Sequence, residues 1–76
     1  VFINTLIPDR PGTLGILLNR LADTGANVLS VTHNRSSRDI PTGYAKVELE
    51  LETTSEEHIE EIKELLSLDN YSFVIL

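Results

Sequence analysis

The sequence predicts an α+β domain in which four strands and two helices follow one another in the order βαββαβ. Two stretches repeat apolar residues at the spacing of a helix, and four others alternate in polarity or are rich in apolar and β-branched residues. Turn-forming residues separate these stretches, and a chain of 76 residues suits a single domain. We therefore expect one domain over residues 1–76.

The first strand and the first helix meet at a turn formed by residues 9–12. Residues 1–7 are apolar and β-branched, which predicts a central strand covered on much of both faces. Pro11 suits the first position of a helix because it lacks a backbone N–H and its φ is already helical. The helix is predicted from Thr13 to Thr24, followed by Gly25 in a left-handed conformation. Its apolar stripe comprises Leu14, Leu17, Leu18 and Leu21.

The second strand, residues 26–35, has apolar residues on both faces, because Leu29 and Val31 share one face and Val28 lies on the other. Such a strand at a sheet edge is expected to pair with, or pack on, another chain. Its polar face contains Ser30, Thr32 and Asn34. In the third strand, Tyr44 to Thr53, apolar and charged residues alternate strictly, so one face should be buried.

The second helix is predicted to begin at a capping box formed by Thr54 and Glu57. His58 in its first turn is expected at the surface. The predicted buried stripe comprises Ile59, Ile62, Leu65 and Leu66. Residues 71–76 form a short apolar last strand. Right-handed crossovers then give a four-stranded antiparallel sheet of order 2-3-1-4 with both helices on one face, which is a ferredoxin-like sandwich.

Composition excludes several classes of partner. The net charge of −6 and the pI of about 4.6 argue against nucleic acid and against anionic membranes. The chain contains no cysteine, so thiolate zinc sites are excluded, and no metal or cofactor is expected in this domain. No membrane span is evident, and we expect a cytoplasmic protein. Because methionine is absent even at position 1, we also expect that the domain was cut from a longer protein or has lost its first residues.

The turn before the first helix is the strongest candidate for a binding site. Amides in the first turn of a helix have no partner within it, so they can hold an acceptor such as a carboxylate. Gly12 would let a ligand come close, although turn chemistry alone also accounts for these residues. The cluster His33–Arg35 fits an interface, a ligand rim or a solvated strand end. So small a chain has no room for a deep pocket, and the site should be shallow or shared with a second copy.

Other functions of this fold fail on particular residues. RNA-recognition modules stack bases on aromatic residues of the central strands, where the third strand carries Glu48, Glu50 and Glu52 instead. Metal chaperones of this shape need a pair of cysteines in the first loop. A small acylphosphatase-like enzyme would need an arginine in that loop, which Arg10 supplies, and an asparagine on the third strand, which is missing.

Several stretches carry a resemblance to a known family. They are Ile7–Gly12, Gly25–Val28, His33–Arg35, and Asp39–Pro41 with Gly43 before the third strand. These stretches resemble the ACT domain, and most closely the C-terminal regulatory ACT domain of threonine dehydratase. The catalytic lysine and glycine loop that bind pyridoxal phosphate in such enzymes have no counterpart here. The resemblance thus implies a non-catalytic chain attached to a pyridoxal-phosphate-dependent ammonia-lyase.

The resemblance also implies an allosteric module that binds an amino acid and pairs into a homodimer or a larger homo-oligomer. In ACT domains the ligand lies between the first loop of one domain and the second strand of its neighbour. The implied ligand-binding residues are Asp9, Arg10, Pro11, Gly12, Thr13, Leu14, Asn27 and Val28. The implied interface residues are Leu29, Val31, His33, Asn34 and Arg35.

The residues around the implied site favour isoleucine or valine as the ligand. Position 7 is Ile, whereas serine-binding relatives have a polar residue nearby, and Leu14, Ile7 and Val28 would suit a branched aliphatic side chain. Some ACT domains bind nothing and only assemble subunits. A ligand-free dimerisation module is therefore the alternative.

Overall fold

All six predicted elements are present in the computed structural model, which describes residues 1–36 and 38–76. They are β1 (Phe2–Pro8), α1 (Thr13–Asp23), β2 (Asn27–Asn34), β3 (Tyr44–Glu52), α2 (Glu56–Leu68) and β4 (Phe73–Ile75). The strands form one antiparallel sheet in the order β2-β3-β1-β4. This order confirms the predicted ferredoxin-like βαββαβ fold. No helix in the described part of the chain is long and apolar enough to cross a membrane.

The hydrophobic core lies between one face of the sheet and the two helices. Along β1 and β3 every second residue is buried on this face. Leu17 and Leu21 of α1 and Ile62 and Leu66 of α2 complete the core. The sheet residues of the core are Ile3, Ile7, Ala45, Val47, Leu49 and Leu51. β1 is a central strand, as predicted. The helices cover only one of its faces, and on the other face Phe2 is 53% exposed while Asn4, Leu6 and Pro8 are half-buried.

A β-bulge in β2 changes which of its residues share a face. Val28 and Ser30 lie opposite consecutive residues of β3, so Leu29 between them has no partner there. As a result Val28 shares the helix-side face with Val31, which corrects the predicted separation of these two residues. Ser30, Thr32 and Asn34 share the open face, as predicted.

α1 begins at Thr13, as predicted, whereas α2 begins one residue later than the sequence pattern suggested. Pro11 is not the first helical residue, because Gly12 caps α1 in a left-handed conformation with a φ of +88° that other residues rarely adopt. In α2 the cap is Ser55 rather than Thr54. Its Oγ accepts a hydrogen bond from the His58 amide at 3.1 Å. Two adjacent hydroxyl residues can each serve as a cap, so the sequence locates a helix start only to within a residue or two.

His58 is buried, with 4% of its surface exposed, so the predicted surface position is wrong. Its ring Nδ1 accepts a hydrogen bond from the Thr54 amide at 3.1 Å. His58, Ile62 and Leu66 are spaced four residues apart and form the buried face of α2. The other members of the predicted stripe, Ile59 and Leu65, are only half-buried.

Candidate functional site

The turn after β1 and the end of β2 meet at the same end of the sheet, the end at which both strands finish. β1 and β2 each pair antiparallel with β3, so they run parallel to each other and finish at that end. Pro8 at the end of β1 lies opposite Tyr44, and Asn34 at the end of β2 lies opposite Lys46. The topology of the sheet thus places His33–Arg35 near the turn that leads into α1.

A cleft of about 360 Å³ opens between these two segments. It is lined by the turn residues Asp9–Leu14 and by His33 and Arg35. The structure therefore brings all six of the turn residues predicted to bind a ligand to one cleft. Two residues that were predicted at the interface line the same cleft.

Hydrogen bonds hold the turn in place and leave several of its amides unused. The Asp9 amide donates to the Gly43 carbonyl at 2.9 Å. Thr13 Oγ1 donates to the Pro8 carbonyl at 2.6 Å. No backbone carbonyl of residues 1–36 and 38–76 accepts a hydrogen bond from the amides of Gly12, Leu14 or Gly15. These are the amides that a helix start offers to an acceptor from outside the helix.

The charged side chains of the cleft are one carboxylate and two guanidinium groups. Arg35 Nε lies 3.6 Å from Asp9 Oδ2, an ion pair that is too long to count as a hydrogen bond. Arg10 lines the same cleft. The formal charge of these side chains is therefore positive, in a chain whose net charge is −6. A carboxylate would meet an attractive local field here although the whole chain is acidic.

Asn27 and Val28 lie at the opposite end of β2 from the cleft. The interval from Asn27 to Asn34 spans roughly 20 Å, at about 3.3 Å per strand residue. One chain alone thus does not bring these two predicted ligand-binding residues to the turn. Between the two ends, Leu29 and Val31 are 51% and 38% exposed along an edge strand of the sheet.

The apolar contacts that we expected for an aliphatic ligand are only partly accessible. Ile7 has no exposed surface, because it faces the helices and belongs to the core. The expectation that Ile7 contacts a ligand is therefore wrong. Leu14 and Val28 are half-buried, and both pack against the core with part of their surface still open.

A larger groove of about 460 Å³ was not suggested by the sequence. Its lining includes Leu6, Ile16, Tyr44 and Tyr71, which come from four separate segments of the chain and share no local pattern.

The structure also bears on metal binding. No group of three or more His, Cys, Asp and Glu side chains within residues 1–36 and 38–76 could hold a metal ion.

The fold and the cleft define a small α+β domain with a shallow, polar site at the end of the sheet where β1 and β2 finish. A family model described as the ACT domain matches residues 1–67. The chain belongs to the ACT domain family.

Two similar proteins have the same name. The chain is 54% identical over its whole length to an L-threonine ammonia-lyase from Thermotoga maritima, of which it covers 19%. It is 41% identical over 74% of its length to an L-threonine ammonia-lyase from Geobacter sulfurreducens, of which the match covers 14%. The chain thus spans less than a fifth of the length of either relative.

Solved structures share the fold at low sequence identity. The small subunit of acetolactate synthase from Thermotoga maritima matches with a TM-score of 0.73 and 20% identity, over 96% of this chain and 44% of that one. The regulatory subunit of aspartate kinase from Thermus thermophilus matches with a TM-score of 0.67 and 19% identity, over 96% and 47% of the two chains. These matches establish the fold.

Proposed function

We propose that this chain is an allosteric domain that binds an amino acid in a site completed by a second copy of itself. One observation carries the proposal. The residues with ligand-binding chemistry lie at the two opposite ends of one exposed edge strand, with the turn cleft at one end and Asn27 and Val28 at the other. Two copies of β2 that pair antiparallel bring opposite ends together.

The faces of β2 favour a particular pairing of the two copies. Residues that lie opposite each other in an antiparallel pair project from the same face. On β2, Val28, Val31 and His33 face the helix side, and Asn27, Ser30, Thr32 and Asn34 face the open side. In the symmetric register that uses the whole strand, helix-side residues lie opposite helix-side residues and open-side residues opposite open-side residues. Val31 then lies on the two-fold axis. Because Leu29 is skipped at the bulge, Val28 lies opposite the partner's His33 and Asn27 opposite the partner's Asn34.

This pairing would complete two equivalent ligand sites. The partner's Val28 and the partner's Asn27 would approach the end of β2 where His33 and Arg35 line the cleft. Amides at the start of α1 would bind the ligand carboxylate, and the Asn27 side-chain carbonyl would accept from the ammonium group. Leu14 and Val28 would contact a branched aliphatic side chain, so isoleucine or valine is the proposed ligand.

A ligand held between two chains would favour one arrangement of the pair over others. By linkage it would bias the activity of any catalytic domain joined to them. We propose a cytoplasmic enzyme similar to threonine ammonia-lyase as that partner. The chemistry would belong to the catalytic domain, since this chain has no catalytic role or cofactor in the proposal.

Titration calorimetry of the 76-residue chain against isoleucine, valine, serine, threonine and phenylalanine tests ligand binding. We expect heat with isoleucine or valine and a stoichiometry of about one ligand per chain. Asn27→Ala should weaken binding at least about tenfold, as expected for the loss of a charged hydrogen bond, with the dimer mass unchanged. A dimer that gives no heat with any of the five would identify a ligand-free assembly module instead.

Sedimentation velocity tests the pairing through β2. Val31→Lys should produce monomers, because it places two like charges on the proposed two-fold axis. Val74→Lys is the matched control, since it introduces the same charge at an exposed position of β4, the other edge strand. Dimers of unchanged mass with Val31→Lys would rule out this interface.

A further inference from the structure

The groove of about 460 Å³ is separate from the turn cleft and differs from it in chemistry. We infer that this groove is a second small-molecule site, which takes an uncharged molecule with an aromatic ring and a hydrogen-bond acceptor. Among the described residues, the groove and the cleft share only Thr13 in their linings. None of the described residues of β2 lines the groove, so the pairing proposed above would leave it open. The inference does not depend on amino-acid binding in the cleft.

The walls of the groove are mainly apolar. Leu6 and Pro8 come from the end of β1, and Ile16 comes from the start of α1. Ile16 is 59% exposed and Tyr44 is 45% exposed, so the groove presents apolar surface to water. Covering that surface with a ligand is favourable. Apolar and aromatic walls with a few polar groups, in a volume of about 300–1,000 Å³, are usual for small-molecule sites.

Two tyrosines from separate segments favour an aromatic ligand that carries an acceptor. Tyr44 begins β3 and Tyr71 precedes β4, and a ring can pack on either in an offset or edge-to-face arrangement. In the part of the chain that the structure describes, neither hydroxyl forms a hydrogen bond, and the side-chain amide of Asn70 forms none either. These groups are therefore available to donate to an acceptor on the ligand.

The charges around the groove favour an uncharged ligand. Asp69 is the one charged side chain among the described lining residues, and it is already paired. Arg20 Nε and Nη2 donate to its two carboxylate oxygens at 2.8 and 3.1 Å. An anion would approach the Asp69 charge in a chain whose net charge is −6. A cation would lose water to apolar walls without gaining a free counter-charge, so both ions should bind less well than an uncharged molecule.

Three probes that share an indole ring test the inference by NMR titration of the isotope-labelled chain. Indole-3-acetamide is uncharged at neutral pH, indole-3-acetate is an anion and tryptamine is a cation. Indole-3-acetamide should shift the backbone amides of Ile16, Tyr44 and Asn70 in a saturable manner. Each ion should bind at least about fivefold more weakly, which is the effect of one unit charge at about 4 Å in water.

Removing the partner of Asp69 should change the preferred charge. In Arg20→Gln the carboxylate becomes a free counter-charge in the wall of the groove, so tryptamine should bind more tightly than indole-3-acetamide. The double variant Arg20→Gln with Asp69→Asn lacks both charges. It should again prefer the uncharged probe. Circular dichroism establishes that each variant is folded.

A wall substitution with a matched control tests the location of the site. Ile16→Gln should weaken binding of indole-3-acetamide by about threefold or more, because it replaces an apolar wall with a polar side chain. Val74→Gln makes a similar change at a residue of β4 that is 58% exposed and does not line the groove. Binding should be unchanged in that variant.

Several results would overturn the inference. The absence of saturable shifts at the groove with indole-3-acetamide would exclude the site, and shifts centred on residues 9–14 would place the probe in the turn cleft instead. Equal affinity for the three probes, or an unchanged order in Arg20→Gln, would exclude selection by charge. Each of these results would leave amino-acid binding in the cleft to its own calorimetric test.

Discussion

At the scale of single residues, His58 links three parts of the chain through its ring. An amide can only donate, so the bond from the Thr54 N–H places the ring proton on Nε2 rather than Nδ1. Nε2 lies 3.1 Å from Thr24 Oγ1, and that hydroxyl donates to the Leu21 carbonyl at 2.7 Å. The ring therefore joins the start of α2 to the end of α1.

Replacing His58 with alanine should lower the free energy of unfolding by roughly 2–3 kcal/mol. The change leaves the Thr54 amide without its acceptor and opens a void beside Ile62 on the buried face of α2. Urea unfolding followed by circular dichroism measures the loss. His33→Ala is the matched control, since His33 is exposed and its loss should cost less than about 0.5 kcal/mol. An equal effect of both changes would contradict the linking role.

At the scale of elements, Arg20 and Asp69 join the last turn of α1 to the end of α2. Arg20 Nε and Nη2 donate to the two Asp69 carboxylate oxygens at 2.8 and 3.1 Å. These hydrogen bonds, and then the charge of Arg20, hold the pKa of Asp69 below its ordinary value of 3.8 although desolvation acts in the opposite direction. A carboxyl group with a lowered pKa stabilises the folded state above its unfolded pKa. That contribution disappears as the pH falls through the folded pKa.

We therefore expect the stability of Asp69→Asn to depend less on acid than that of the unaltered chain. The difference in free energy of unfolding between the two should be largest at neutral pH and shrink below about pH 4. Arg20→Gln should remove the same acid dependence, because the pKa shift needs both partners. Urea unfolding at several pH values measures the difference. A difference that stays constant down to about pH 2 would contradict the assignment.

At the scale of the whole molecule, negative charge covers α2 and the open face of β3, and the turn cleft is set apart from both. Five glutamates lie along α2, and β3 carries three more on the open face of the sheet. The turn cleft, with Arg10 and Arg35, is the place where an anion would meet positive charge. In the proposed pair, each cleft faces the β2 start of the other chain.

A mixture of two inactive variants should recover binding if the site is shared. Asn27→Ala removes the side chain that each chain contributes to its partner's site. Arg35→Gln removes a side chain that each chain contributes to the site at its own cleft. Each variant alone should bind isoleucine weakly. After random exchange of chains, a 1:1 mixture should regain tight binding at about one quarter of its sites, because each mixed dimer contains one site with neither substitution. Calorimetry after equilibration measures the recovery.

No recovery in that mixture would mean that both residues act within one chain. A mixture of the unaltered chain with the double variant is the control. In its mixed dimers every site contains one of the two substitutions, so only the unaltered dimers should bind tightly. About one quarter of the sites are again intact, but all of them belong to dimers of two unaltered chains, so no intact site is created by mixing.

The sequence by itself determined the order of elements, the buried face of β3 and the positive φ of Gly25. These features are local, because alternation, helical spacing and turn chemistry act over a few neighbouring residues. From them and the handedness of the crossovers, the strand order 2-3-1-4 followed. The turn Asp9–Leu14 was recognised in the same way, from its proline, its glycine and the helix that follows.

Only the tertiary structure decided the bulge at Leu29, the burial of His58 and the ion pair between Asp9 and Arg35. Each depends on partners far away in the sequence. The bulge is defined by pairing with β3, His58 is satisfied by Thr24 at a distance of 34 residues, and the cleft forms because β1 and β2 finish at the same end of the sheet. Local patterns cannot contain such information, since the contacts exist only once the chain has folded.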